Sequence, residues 1–308
     1  MTLSLPEKYP TATLAATTAF LGTIGAFAVE AGLDPVSTVF WRCVFASAFL
    51  GAWCLWRGYF RTSVPTARQL GLAAAGGLCI VLNWVAFFAG FSMTSIATTT
   101  IVYHVQPFFV VLIGAAFLGE PIHRHQIAWM LTAFLGVVLS SGIAASDSVI
   151  TATWAMGIAL TLSASLLYAI ATILAKRLGT VRPEITAFCQ TTLGIILLAP
   201  FADFAREVPG AAWGWLAGIG MFHTGIAYVL MYSSLPRLTT PVIGALTFLY
   251  PLVAILIDWR IYHHPLDTTQ AIGLGLIALG TLGVRLGWGK LSGRTAESGR
   301  NAAPCASA

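Results

Sequence analysis

The stretch TIVYHVQPFFVVL, residues 100–112, is as apolar as a membrane helix but holds three residues that such a helix usually avoids: His104, Gln106 and Pro107. Polar side chains inside a membrane are costly against lipid, so they turn toward protein or a water-filled cavity. Pro107 also removes one backbone donor and frees the carbonyl of Tyr103 from the helix ladder. We therefore expect this helix to line a cavity. The alternative is a proline-kinked packing helix whose histidine bonds to a neighbouring backbone.

The composition places almost the whole chain in a membrane. Of its 308 residues, 57% are hydrophobic and 9% are charged, whereas soluble domains carry about 25% charged residues. Between polar or Pro/Gly breaks, the sequence has ten apolar runs long enough to cross a bilayer. These runs are residues 11–29, 36–56, 67–91, 95–118, 123–142, 154–176, 184–202, 211–234, 239–258 and 267–288. The connections are short, so we predict an all-α membrane protein of ten transmembrane helices with no soluble domain.

The basic residues orient this fold. They are scattered singly near the ends of the runs, which argues against nucleic acid as a partner despite a net charge of +5. If the N-terminus is cytoplasmic, 13 Lys and Arg residues fall on the cytoplasmic side, two fall outside, and Arg42 lies within the second run. Cytoplasmic loops carry the excess of Lys and Arg. We therefore expect both termini to be cytoplasmic.

A weak internal repeat relates the two halves. A shift of 144 residues superposes Pro107 on Pro251, Pro121 on Pro265, Gln126 on Gln270 and Gly136 on Gly280. Each half has five spans, an odd number, so the second half must cross in the opposite sense. Inverted repeats with broken helices are typical of secondary transporters that bind their ligand near the midplane. We predict a first repeat over 1–150, an inverted second repeat over 151–290 around a central cavity, and a disordered cytoplasmic tail over 291–308.

The repeat also carries a family resemblance. Two five-helix halves, each with a proline in the fourth span followed by an exit such as LGEP at 118–121, resemble the EamA-type members of the drug/metabolite transporter superfamily. The resemblance covers roughly residues 11–288. Glu120 matches the acidic exit of the family pattern, whereas the second half has His264 there.

Within that superfamily, the residues before the repeat prolines most resemble the bacterial aromatic amino acid exporters called YddG. The resemblance implies export, a bacterial inner membrane, and a cavity lined by one set of residues from the third and fourth spans. This set is Asn83, Trp84, Phe87, Tyr103 and His104.

Each candidate substrate-binding residue lies inside a span and is polar, aromatic or a proline. The candidates are Asn83, Trp84, Phe87, Tyr103, His104, Gln106, Pro107, Ser165, Tyr168, His223, Tyr228, Phe248 and Pro251. Three have an alternative interpretation. Trp84 could belong to an interfacial aromatic belt, His223 could bridge two helices, and Phe248 could be a core residue.

Other polar residues receive structural interpretations. Arg42 follows Glu30 and Asp34 closely, so an ion pair with one of them is expected. The histidines at 123, 125, 263 and 264 lie at membrane edges without carboxylate or cysteine ligands at metal spacing. We predict no metal and no cofactor.

The positions of the acidic residues bear on mechanism. All 11 carboxylates lie at span ends, in loops or in the tail, and proton-driven carriers commonly use an intramembrane acid or histidine chain. Only His104 and His223 lie deep, so we expect weak or absent proton coupling and alternating access down the substrate's own gradient.

The expected substrate is an amphipathic, amino acid-like zwitterion with an apolar or aromatic side chain, carried by a monomer in the lipid bilayer. A phosphate-rich solute would need Lys or Arg clamps. Another small metabolite or drug remains the alternative substrate class. A membrane enzyme lacks a motif here, and the inverted repeat argues against a channel.

Overall fold

A computed structural model describes residues 8–94, 96–140, 151–263 and 266–289, and within these ranges the chain is helical without a strand. Nine of its segments are long and apolar enough to cross a membrane. The tenth predicted crossing, Arg124–Ser140, has 17 residues and ends where the description stops. Spans 1 to 10 are Pro10–Ala31, Pro35–Trp56, Ala67–Met93, Thr98–Leu118, Arg124–Ser140, Ala152–Arg177, Pro183–Phe201, Gly210–Arg237, Thr240–Ile261 and Thr268–Leu286. The prediction of an all-α membrane fold with ten crossings is confirmed.

The ends of several spans follow from local capping chemistry. Asp34 caps span 2 by accepting hydrogen bonds from the backbone N–H groups of Val36 and Ser37, both at 3.0 Å. Thr66 and Asp267 begin spans 3 and 10 with reciprocal capping boxes. Such side chains satisfy backbone donors that a helix leaves unpaired at its start. The observed starts therefore lie within one residue of those predicted at 36, 67 and 267.

The helix contacts repeat when the two halves are exchanged. Span 3 contacts spans 6 and 7, and its counterpart, span 8, contacts spans 1 and 2. Spans 5 and 10 pack on each other with a reciprocal register. Gly136 lies against Gly273 and Ile277, while Gly280, 144 residues after Gly136, lies against Trp129 and Ala133. The same shift of 144 relates the members of each contact. The sequence register of the repeat is therefore also the register of the structure.

Four of the crossings are interrupted inside the span, and these interruptions mark the centre of the molecule. Three spans consist of two helices each: Pro10–Leu21 and Ile24–Ala31 in span 1, Ile96–Tyr103 and Gln106–Leu118 in span 4, and Thr240–Thr247 and Leu249–Ile261 in span 9. Span 8 consists of four segments: the α-helix Gly210–Gly218, the π-helix Ile219–Ile226, the α-helix Ala227–Ser234 and the 3₁₀ turn Leu235–Arg237. Irregular backbone inside a membrane is tolerated where protein or a water-filled cavity satisfies it. The remaining helices are a short Tyr59–Thr62 after span 2 and a 3₁₀ turn, Ala199–Phe201, that ends span 7.

Some predictions fall on residues outside the described ranges. The tail over 291–308, the repeat boundary at 150 and His264 all lie there. The repeat boundaries therefore stay predictions.

Candidate functional site

A central cavity lies where the interrupted spans 1, 4, 8 and 9 meet spans 2, 3 and 6. Its empty space is about 610 Å³, including the part that is open to solvent. The aromatic residues of its wall are Trp84, Phe87, Phe88, Tyr103, Tyr168, Tyr228 and Tyr250. The other wall residues are Thr18, Leu21, Ile24, Arg42, Gln106 and Thr247. The structure thus brings six of the sequence candidates into one wall: Trp84, Phe87, Tyr103, Gln106, Tyr168 and Tyr228.

The aromatic wall is held in place by hydrogen bonds and ring contacts. Trp84 Nε1 donates to the Tyr228 hydroxyl at 3.1 Å, and the two rings meet edge to face. Phe87 and Tyr103 have ring centroids 4.3 Å apart. Behind the wall, Asn83 Nδ2 donates to the Tyr103 hydroxyl at 3.1 Å and to a backbone carbonyl of span 6 at 2.7 Å. Asn83 therefore positions Tyr103 and does not itself border the cavity.

Arg42 is the one cation in this wall, and the structure corrects its interpretation. Its side chain is 97% buried, since its exposed fraction is 3%. The expected ion pair with Glu30 or Asp34 is wrong: the only salt bridge among the described residues lies elsewhere, between Lys176 and Glu120. Asp34 is instead occupied as the cap of span 2. Arg42 points from span 2 into the protein, which leaves its charge at the cavity.

Three further candidates lie at the interface of spans 4 and 9, behind the cavity. His104 is fully buried, its Nδ1 is 2.7 Å from the Thr100 carbonyl, and its ring lies nearly parallel to that of Phe248. Pro107 is buried against Gly244. A Cβ added to Gly244 would lie 3.1 Å from the Pro107 carbonyl oxygen. Neither proline-bearing helix turns these groups toward lipid. The contact of His104, Pro107 and Phe248 with a substrate stays a prediction.

Ser165 braces the interruption of span 4 from span 6. Its hydroxyl lies 3.0 Å from the Tyr103 carbonyl and 3.2 Å from the Val102 carbonyl, and it also reaches Thr161 in its own helix. Pro107 frees the Tyr103 carbonyl, as the sequence predicted, and a buried carbonyl needs a donor. Ser165 supplies that donor and lies outside the cavity wall.

His223 bridges spans 8 and 1, which is the alternative that the sequence left open. Its Nε2 is 2.8 Å from the Thr23 hydroxyl, at the interruption of span 1. Its ring stacks on Phe20 with centroids 4.5 Å apart and meets Phe27 edge to face. The π-helical turn that carries His223 also carries Thr224, which binds Arg42. His223 therefore fixes the position of span 8 against span 1.

A larger recess of about 1810 Å³ lies between the central cavity and the end of the bundle that holds Asp34, which we term the Asp34 end. It runs along spans 1 and 9, where Pro251 forms part of its wall, and it extends to Leu33 and Tyr262. Phe88 borders both the recess and the central cavity. Phe88 therefore lies between the recess and the aromatic wall.

The opposite end, which we term the Lys176 end, holds a polar clasp of Glu120, Lys176 and Thr240. Glu120 accepts hydrogen bonds from the Thr240 backbone N–H at 2.6 Å and hydroxyl at 2.9 Å, and it pairs with the Lys176 ammonium. Lys176 also donates to the Leu238 carbonyl. Burial alone would raise the pKa of Glu120, but the hydrogen bonds from Lys176 and Thr240 hold that pKa below its ordinary value. The clasp ties spans 4, 6 and 9 together.

Sequence reasoning missed three informative wall residues: Arg42, Thr247 and Tyr250. The repeat contained the signal for two of them, because the shift of 144 places Thr247 on Tyr103 and Tyr250 on Gln106. A charge inside an apolar run was the signal for the third, since intramembrane charges usually mark function. Its proximity in sequence to two carboxylates obscured that signal.

Comparisons with known proteins agree with this architecture. A family profile described as the EamA-like transporter family matches residues 11–142 and 155–286. The chain is 35% identical over 261 residues to an uncharacterized transporter, YxxF, of Bacillus subtilis, covering 84% of each protein. It is 25% identical over 277 residues to an uncharacterized transporter of Archaeoglobus fulgidus, covering 89% of this chain and 96% of the relative. One crystal structure aligns with a TM-score of 0.80 at 18% identity, over 92% of this chain and 98% of that chain.

Proposed function

The chain belongs to the EamA-like transporter family of the drug/metabolite transporter superfamily, and on that premise we propose that it exports aromatic and apolar amino acids by alternating access. The family makes it a multi-pass membrane transporter of small metabolites, not an enzyme. The aromatic wall of the central cavity is the observation that carries the proposed substrate. Rings that meet edge to face or stacked stabilise one another beyond simple burial, so seven aromatic wall residues favour a solute with an aromatic or bulky apolar body.

Alternating access is supported by the unequal ends of the bundle. The Asp34 end holds the recess that adjoins the cavity, whereas the Lys176 end is tied by the clasp of Glu120, Lys176 and Thr240. The Lys and Arg bias favours a cytoplasmic location for the Lys176 end. On that assignment the structure is open to the outside, both termini are cytoplasmic, and the protein lies in the bacterial inner membrane. Release of the clasp would open the cytoplasmic side.

Proton coupling is expected to be weak, because no carboxylate lies in the described wall of the cavity and both deep histidines lie behind it. A pH gradient alone should therefore drive no uphill accumulation of aromatic amino acids in liposomes. Uphill transport under that gradient would overturn this part of the proposal. We also propose that the transporting unit is a monomer, since one chain encloses the cavity.

The decisive experiment is counterflow of a labelled aromatic amino acid into proteoliposomes preloaded with the unlabelled compound. Saturable exchange is expected for the wild type, and Trp84→Ala should reduce its rate by at least about tenfold, because Trp84 supplies both a ring and a hydrogen bond to the wall. Trp56→Ala is the matched control, since Trp56 is 75% exposed on the outer surface. Linear flux would indicate a channel, and absence of exchange for every aromatic or apolar amino acid would overturn the proposed substrate.

A further inference from the structure

We infer that Arg42 binds the carboxylate of the transported solute, and that the substrate class is an aromatic monocarboxylate for which an ammonium group is dispensable. This inference rests on the proposed function and narrows it. Export of amino acids requires only that a zwitterion fits. A carboxylate anchor predicts in addition that the negative group is essential and that the positive group is not.

The guanidinium of Arg42 is held in one orientation by two neighbouring spans. Its central carbon lies 3.8 Å from the ring centroid of Trp84 in span 3, which is a cation–π contact. Its Nε donates to the Thr224 hydroxyl in span 8 at 2.5 Å. The Tyr228 ring lies farther away, at 5.8 Å. These contacts position the cation without neutralising it.

The terminal nitrogens of Arg42 border the cavity, where the Tyr228 hydroxyl also lies within reach of the guanidinium. Arg42 is part of the cavity wall, and within the described residues Nε makes its one hydrogen bond of normal geometry. A buried cation without an anion is costly. The planar guanidinium fork binds a carboxylate through two parallel hydrogen bonds, which a lysine cannot reproduce. The site therefore has the geometry of a carboxylate receptor.

The same wall offers no anion to an ammonium group. Among the described residues, its polar members besides Arg42 are neutral: Gln106, Thr18, Thr247 and the tyrosines. The nearby acids are engaged at the Asp34 end, where Asp34 caps span 2 and Glu30 contacts the Tyr262 hydroxyl. The cavity therefore carries one positive charge, which attracts monoanions, tolerates zwitterions and repels cations.

The test uses four probes that share one phenylpropyl body: 3-phenylpropanoate, its primary amide, phenylalanine and 3-phenylpropylamine. Binding to the purified transporter in detergent is measured by calorimetry. The wild type should bind the carboxylate and phenylalanine with affinities within about tenfold of each other. It should bind the amide at least about tenfold more weakly, because a charged hydrogen-bonded pair is lost. The amine should not bind.

Arg42→Gln should erase the difference between the acid and its amide, and Arg42→Lys should keep part of it, since the charge remains but the fork is lost. Arg182→Gln is the matched control, because Arg182 also lies over an aromatic ring, Tyr59, at 4.0 Å, but outside the cavity. Arg182→Gln should show the same difference in affinity between the acid and its amide as the wild type. If Arg42→Gln does not fold, the acid and amide pair on the wild type and on Arg42→Lys decides the question.

Equal affinity of the wild type for acid and amide, or unchanged acid binding by Arg42→Gln, would overturn the carboxylate anchor. That failure is distinct from failure of the proposed function. Saturable counterflow of the neutral amide at the rate of the acid would remove the anchor and leave an aromatic transporter in place. Absence of counterflow for all four probes would instead overturn the proposed aromatic substrate itself.

Discussion

The two proline-bearing interruptions, Tyr103–Pro107 in span 4 and Thr247–Pro251 in span 9, have the same backbone design and different supports. In both, the first position and the position before the proline contribute to the cavity wall: Tyr103 and Gln106 in one, Thr247 and Tyr250 in the other. In both, the second position is buried behind the wall. These second positions are His104 and Phe248, and their rings lie nearly parallel with centroids 6.3 Å apart.

The supports differ in physical kind. The interruption of span 4 is braced by a side-chain donor, Ser165, on the continuous helix of span 6. The interruption of span 9 is approached by Gly22 of span 1, which is itself interrupted at that point. A Cβ on Gly22 would lie 2.6 Å from the Tyr250 carbonyl. One half therefore holds its break through a hydrogen bond, and the other through close approach of two broken backbones.

Gly22→Val should have the largest effect, because its side chain would push span 1 away from the backbone of span 9. Overpacking of this kind costs about 1–3 kcal/mol or more, and we expect a lowered melting temperature together with loss of counterflow. Gly25→Val is the control in the same span, since a Cβ on Gly25 meets nothing within 4 Å. Equal melting temperatures for the two variants would show that close approach does not support span 9.

The contacts at the ends of spans 4 and 9 also differ. Glu120→Gln tests the contact between Glu120 and Lys176 at the end of span 4. Loss of the charged pair with Lys176 should cost about 1–3 kcal/mol at neutral pH. The pKa of Glu120 is lowered in the folded protein, so its contribution is fully present above its ordinary value of 4.5 and disappears as pH falls through the lower folded value. Melting temperatures of wild type and variant should therefore converge below that pH.

Glu30→Gln is the matched control at the other exit. Glu30 contacts the Tyr262 hydroxyl at 3.3 Å in an exposed position, where polar pairs contribute little. We expect its effect on the free energy of unfolding at neutral pH to be within about 0.5 kcal/mol. An effect as large as that of Glu120→Gln would mean that the two ends are held equally.

Ser165→Ala should have a smaller effect than Gly22→Val, because it removes a donor without moving a helix. The Tyr103 carbonyl would lose its donor, at a cost of about 1–3 kcal/mol unless water replaces the hydroxyl, whereas the Val102 carbonyl keeps the Val105 N–H. Ser163→Ala removes a similar hydroxyl from the exposed face of the same helix, where the bond is to Ala159. Thermal unfolding of the two variants in detergent should separate them; matching curves would contradict the brace.

His104→Phe should have the smallest effect, since it copies into span 4 the residue of span 9. The variant loses the bond to Thr100 but also removes Nε2, a buried nitrogen without a partner among the described residues. We expect a change within about 1.5 kcal/mol in unfolding free energy. The rate of counterflow should depend on pH as in the wild type between about pH 5 and 8. A shifted profile would show that His104 titrates during transport.

Prediction from sequence succeeded where the residue types allow only one local structure. An apolar run of about 20 residues must be a helix in lipid, and Pro107 must free a carbonyl wherever it lies. It failed where a side chain has several acceptable partners. Arg42 is only about two helical turns from Asp34 along the chain, yet it reaches spans 3 and 8, because the fold brings Trp84 and Thr224 closer than the carboxylates.

The sequence alone determined ten membrane crossings and the repeat register, because hydropathy and proline positions can be read directly along the chain. Six residues of the cavity wall were among its candidates, and the family resemblance supplied the roles of three of them, Trp84, Phe87 and Tyr103. Tertiary structure decided which polar groups face the cavity and which brace it from behind. That choice places Arg42 and Tyr250 in the wall and His104, Ser165 and His223 outside it. It depends on the rotation of each helix against its neighbours, and rotation follows from the packing of all ten spans together.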